Sequence, residues 1–119
     1  MPVRPTHFEF YSTDPAATVE FLSTVFGWRA EKWGEEDYWL LDTGEGPGIN
    51  GAVAPAGPEG ARTLNTCEVE DLEAAIEAVK IGGGKVVSEI VELPGVGRWA
   101  EVAGPGGEEF GLMEPAPAD

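Results

Sequence analysis

The strongest constraint on this chain is that it contains much of itself twice. Gly104–Pro115, GPGGEEFGLMEP, laid under Gly44–Pro55, GEGPGINGAVAP, coincides at Gly44/Gly104, Gly46/Gly106, Gly51/Gly111 and Pro55/Pro115, each pair 60 residues apart. The same register brings Trp39 onto Trp99, and YWLLDTG onto RWAEVAG. A repeat of this size means two copies of one supersecondary unit, which constrains architecture more than any single element does.

Each copy can be read element by element. Thr6–Ser12 alternates, with His7, Glu9 and Tyr11 on one face and Phe8 and Phe10 on the other, as a strand packing its phenylalanines on a core does. Asp14-Pro15 supplies an N-cap carboxylate and a proline at the first helical position. Val19, Leu22, Val25 and Phe26 then recur at helical spacing, and Gly27 is a natural stop. Strands follow at Trp28–Trp33, Asp37–Thr43 and Ile49–Ala54.

In the second copy Leu64–Val69 alternates, with Asn65, Cys67 and Val69 opposite Leu64, Thr66 and Glu68. Asp71 answers Asp14 at an offset of 57, and Leu72, Ala75, Ile76 and Val79 form the helical stripe, which ends at Gly82–Gly84. Strands at Lys85–Val91, Gly97–Val102 and Glu109–Met113 complete the pattern. The expectation is one α+β domain of two tandem βαβββ modules, 5–55 and 63–115, joined by the turn-rich linker 56–62.

With 22 acidic and 7 basic residues the net charge is −15, and no Lys/Arg patch exists to displace phosphate counterions, so nucleic acid is not an expected partner. No apolar run is long enough to span a bilayer, and the N-terminus lacks a signal-peptide core. The lone Cys67, in an alternation that predicts a buried thiol, fits a reducing cytoplasmic compartment. The Gly-rich stretches lack the Lys-Ser/Thr ending of a phosphate loop and read as turns. One histidine and no nucleophile elbow leave no hydrolytic triad.

HFEFYSTDPAATVEFLSTVFGW, the VEDLEAAI segment at Val69–Ile76 and the final PGGEEFGLME together resemble the vicinal oxygen chelate superfamily of glyoxalase I, bleomycin-resistance proteins and extradiol dioxygenases. The resemblance implies that the modules form a curved, cup-like mixed sheet with helices packed outside, that a small molecule binds in the cup, and that the protein is a homodimer. It also implies a divalent metal held by one ligand from the first and one from the fourth strand of each module. Those positions fall on His7, Gly51, Leu64 and Gly111, of which only His7 can ligate, while a divalent ion wants three or more donors.

The expectation is therefore a binder of a partly apolar or aromatic molecule with no cofactor. A metal-dependent lyase, isomerase or dioxygenase with rearranged ligands is the alternative. His7 and Glu9 are the candidate catalytic pair. Tyr11, Thr66, Glu68 and Glu101, on inward faces, are candidate ligand contacts, as are the repeat-related Trp39 and Trp99, which either line the ligand's site or pack in the core. Gly51 and Gly111 remove side chains from the fourth strands, which opens room for a ligand or lets backbones approach.

Overall fold

The computed structural model describes residues 2–117, and among these are nine strands and two helices, an α+β protein. The described residues form two compact units, 6–64 and 65–117, the latter joined by residues 2–5.

The first unit holds β1 (Pro5–Ser12), α1 (Pro15–Phe26), β2 (Arg29–Lys32), β3 (Trp39–Asp42) and β4 (Asn50–Pro55). Its strands run in the order β2-β3-β4-β1, with β1 parallel to β4 and the other neighbours antiparallel. The local signals act as their chemistry demands. The Asp14 carboxylate accepts a hydrogen bond from the Ala17 N–H at 3.3 Å, Pro15 opens α1, and Gly27, at φ 72°, closes it in the left-handed conformation. Leu22, Leu41 and Val53 form the buried centre, and Phe8, Phe10, Val19, Trp28 and Trp39 pack around it. Two stripe residues depart from the sequence reading: Val25 is 53% and Phe26 56% exposed, beside Phe21 at 58%. Helix α1 is apolar around most of its circumference and buries only part of that surface.

The second unit holds most of β5 (Arg62–Glu68), then α2 (Leu72–Ile81), β6 (Lys85–Val86), β7 (Val91–Leu93), β8 (Gly97–Ala103) and β9 (Glu109–Pro115). The order is β5-β9-β8-β6, with β7 also on β8 and with β5 parallel to β9. The stripe of α2 packs as its spacing predicts: Leu72, fully buried, sits with Val69, Ala100, Val102 and Leu112, against which Ala75, Ile76, Val79 and Phe110 close. Cys67 packs on the same cluster but is only partly buried, and that burial pushes its thiol pKa up.

The continuous strand expected over Lys85–Val91 is two strands. Val86 faces Val102 while Val91 faces Trp99, so five residues on one side span three on the other. The excess is absorbed as a bulge where the Val87 and Ser88 N–H groups both donate to the Glu101 carbonyl and the Ser88 hydroxyl accepts from the Glu101 N–H.

An arginine fork ties α2 to two strands. Arg98 donates to both Glu73 oxygens at 2.7 Å and to Glu114 at 3.0 and 3.1 Å, and Glu114 also accepts from the Leu72 N–H at the start of α2. The Arg98 hydrogen bonds hold Glu73 down at about 2 from an ordinary 4.5, and hold Glu114 below its usual range. A carboxylate with a depressed folded pKa stabilises the fold above its unfolded pKa and loses that stabilisation as pH falls through the folded one. Arg98→Met should therefore flatten the stability profile between about pH 4.5 and 2, measured as urea midpoints across that range. Because Glu73 is exposed and Arg98 and Glu114 are only half-buried, 0.5 M salt should shrink the difference. No helix among the described residues is long and apolar enough to cross a membrane.

Candidate functional site

The face of a strand follows from its ladder partners. Phe8, in the α1-side core, lies level with Gly51, and Leu41 lies level with Gly51 as well. Gly51 therefore faces α1, on the opposite side of the sheet from His7. A β-carbon there would meet the Phe8 ring at 2.5 Å and the Phe8 carbonyl oxygen at 2.6 Å. This glycine admits the Phe8 ring and backbone: of the two sequence readings, close approach holds at Gly51 and room for a ligand does not.

The repeat register explains why. Asn65, equivalent to Phe8 through the offset of 57, lies level with Phe110 where Phe8 lies level with Gly51. The fourth strands are thus related by 59 residues (Gly51 to Phe110). Leu41 faces Gly51 as Val102 faces Phe110, so the third strands are related by 61 (Leu41 to Val102). The apparent 60 matches turn glycines across hairpin loops of unequal length, and a one-residue slip moves a side chain to the other face. Trp39 packs in the α1-side core, whereas Trp99 lies on the face away from α2, so the two tryptophans are not equivalent. Tyr38, not Trp39, is the counterpart of Trp99.

Tyr38 completes the first unit's polar cluster. Glu9, with a side chain 13% exposed, accepts from the Tyr11 hydroxyl on one carboxylate oxygen and from the Tyr38 hydroxyl on the other, each at 3.0 Å. His7 Nε2 stands 4.0 Å from Glu9 with its side chain 33% exposed. Desolvation lowers the His7 pKa against the opposing pull of the Glu9 charge, so the imidazole is neutral at pH 7. Burial, then the Glu9 charge, then the hydrogen bond to it raise the Tyr38 pKa well above the usual phenol value, leaving it a hydroxyl donor. The arrangement is a fixed carboxylate held by two phenols beside a reachable neutral imidazole. Sequence reasoning passed over Tyr38, although the alternation in YWLLD, once Trp39 and Leu41 are placed in the core, puts Tyr38 on the other face.

In the second unit Thr66, Gly111 and Glu101 lie level across three strands, with Trp99 on the same face. Thr66 and Glu101 are buried, at 3% and 5% exposure. The space over Gly111 is taken by Thr66 Oγ1 and Trp99 Nε1, each 2.6 Å from where a β-carbon would be, and the Thr66 hydroxyl makes no hydrogen bond among the described residues. Glu68 lies further along the same row and is exposed. The structure thus brings His7, Glu9 and Tyr11 together in one unit and Thr66, Trp99, Glu101 and Gly111 in the other.

The residues do not fit the four-ligand metal site that the resemblance implies. Beside His7 and Glu9, the β4 residues on their face are Asn50, Ala52 and Ala54, and Asn50 Oδ1 accepts from the Thr43 N–H at 2.9 Å and from its hydroxyl. Two convergent donors remain in that unit, below the three a divalent ion requires. Among the described residues, Asp71, Glu73 and Glu114 are a group of three acidic donors within reach of one another, but Arg98 bonds two of them.

The CFP32 protein of Mycobacterium bovis is 27% identical over 117 residues, covering 92% of this chain and 45% of its own length. The anthracycline biosynthesis protein DnrV of Streptomyces peucetius is 29% identical over 137 residues, covering 97% of this chain and 50% of its own. The chain spans about half the length of the curated relatives it matches. Among solved structures, methylmalonyl-CoA epimerase from Mycobacterium tuberculosis superposes with a TM-score of 0.67 at 20% identity, over 95% of this chain and 88% of that one, a likeness of fold. A Vibrio splendidus member of the glyoxalase/bleomycin resistance protein/dioxygenase superfamily gives 0.66 at 17% identity, over 97% and 100%. The family model of that superfamily matches residues 4–112, nearly the full length, and this chain therefore belongs to the Glyoxalase/Bleomycin resistance protein/Dioxygenase superfamily.

Proposed function

We propose that this chain binds a small, partly aromatic molecule through the Glu9 cluster, without the superfamily's usual metal ligands. One observation carries the reading: a carboxylate whose two oxygens each accept a phenol hydroxyl, with a neutral imidazole 4.0 Å away and open to solvent. Such a site offers His7 as donor or acceptor to a ligand hydroxyl or carbonyl, backed by a charge that does not move. The similar proteins suggest two ligand classes to test, anthracycline-type aromatics from a relative named for anthracycline biosynthesis, and CoA esters from methylmalonyl-CoA epimerase. CoA carries several phosphate charges, and a chain at −15 with 7 basic residues repels such a ligand. The uncharged or cationic aromatic is the better match.

The test titrates daunorubicin and propionyl-CoA against tryptophan fluorescence. Daunorubicin should bind saturably and the CoA ester should not. His7→Ala and Glu9→Gln should each weaken daunorubicin at least about ten-fold, the cost of leaving a buried polar group of the complex without its partner. No saturable daunorubicin binding, or binding indifferent to both variants, refutes the proposal. Elemental analysis of the same samples addresses the metal-dependent alternative, since stoichiometric metal lost in His7→Ala would establish it. The reading includes a homodimer, which the resemblance implies and sedimentation velocity would test, and a cytoplasmic location, which rests on the lone Cys67.

A further inference from the structure

The second unit repeats the layout of the Glu9 cluster with its acceptor removed. Through the strand registers, Thr66 stands in the place of Glu9, Trp99 in that of Tyr38, Glu101 in that of Leu40 and Gly111 in that of Ala52. In the first unit the carboxylate at this place is an acceptor, and the Tyr38 hydroxyl donates to it at 3.0 Å. In the second unit that carboxylate is gone and donors remain. Trp99 Nε1 is a donor only, and the Thr66 hydroxyl donates as readily as it accepts.

Both atoms lean into the space over Gly111, each 2.6 Å from where its β-carbon would be. They do not bond each other, because Thr66 Oγ1 is buried and has no hydrogen-bond partner among the described residues. A hydroxyl buried in this way destabilises the fold that holds it, and valine would fill the same volume without that cost. Thr66 is 3% exposed, so bulk water does not relieve it. What both atoms lack is one acceptor oxygen with two lone pairs, which a carbonyl presents.

Charge narrows the class of ligand. Glu101 lies level with Gly111 on the same face and is 5% exposed, so its carboxylate borders the slot where solvent screens little. A second anion there would be repelled, whereas a neutral carbonyl would not. Trp99 is half-buried while Thr66 and Glu101 are covered, so a ligand reaches the slot past the indole ring.

We infer that the slot over Gly111 binds the carbonyl oxygen of an uncharged ligand, with Thr66 and Trp99 as its two donors. None of these residues belongs to the Glu9 cluster.

The probes are acetophenone, ethylbenzene, which has a methylene in place of the carbonyl, and benzoate. Each is titrated into the full chain while the indole N–H resonances are followed by nuclear magnetic resonance, with Trp99→Phe identifying the Trp99 signal. Acetophenone should move that signal downfield saturably, and ethylbenzene should leave it in place. Benzoate should bind about ten-fold more weakly than acetophenone. Thr66→Val should weaken acetophenone about ten-fold yet raise the urea midpoint, because the lost hydroxyl had no partner in the fold. A hydroxyl kept for structure alone, bonded to a fixed internal water, would instead make Thr66→Val lower that midpoint. That result would overturn the assignment. So would the absence of a saturable shift at tens of millimolar acetophenone, an equal response to ethylbenzene, benzoate binding as tightly, or unchanged binding in Thr66→Val.

Discussion

Gly51→Ala is expected to destabilise the protein by about 3 kcal/mol, a fall in melting temperature of roughly 10 °C for a chain of this size. The added β-carbon would lie 2.5 and 2.6 Å from two ring carbons of Phe8 and 2.6 Å from the Phe8 carbonyl oxygen. The ring cannot simply rotate away, because it packs against Phe10 and Trp28 at centroid distances of 5.2 and 5.7 Å. The carbonyl belongs to the adjacent parallel strand and moves only if the ladder does. Gly111→Ala meets side-chain atoms of Thr66 and Trp99 instead, and should cost less, about 1–2 kcal/mol. Urea unfolding of both variants decides the matter. A neutral Gly51→Ala would mean that the position faces open space, one of the two readings that the repeat alone left open.

The second large effect is expected at Glu9. Glu9→Leu removes two charge-assisted hydrogen bonds and leaves the half-buried Tyr11 and Tyr38 hydroxyls without this acceptor, costing about 3 kcal/mol. Glu9→Gln retains one acceptor oxygen and should cost about half as much. Two spectroscopic signatures separate this from a general loss of packing. The Tyr38 ionisation, raised in part by the Glu9 charge and hydrogen bond, should fall toward its ordinary value of 10, read from the ultraviolet absorbance of phenolate. His7 is the one histidine in the chain, so its proton resonances are unambiguous. Its pKa, already below 6.5, should fall further in Glu9→Leu, because the Glu9 charge is what opposes desolvation. A His7 pKa unmoved by the substitution would show that the two groups do not interact.

Much of the fold is legible in the sequence because its signals are local. Asp14, Pro15, Gly27 and Asp71 each act within one helical turn, and the helix caps stand at those residues. Phe8 and Phe10 alternate with His7, Glu9 and Tyr11, and the phenylalanines of that alternation are in the core. The α1 stripe is legible only in part. Periodicity identifies its apolar residues, but Val25 and Phe26 stay exposed because the surrounding surface does not extend over them.

The candidate site divides along the same line. His7, Glu9 and Tyr11 are neighbours along one strand, so a period of two is enough to set them on one face. Tyr38 reaches Glu9 from 29 residues away, and Arg98 reaches Glu73 from 25, and no local pattern encodes such pairs. By itself the chain of residues determined its superfamily, its two βαβββ-like halves, its helix ends and the polar face of β1, all of which follow from interactions among residues a few positions apart. The tertiary structure alone decided which face Gly51, Trp39 and Trp99 occupy and where the second module's strand breaks. In a pleated sheet, facing depends on register, register depends on hairpin loop length, and a difference of a single residue reverses it.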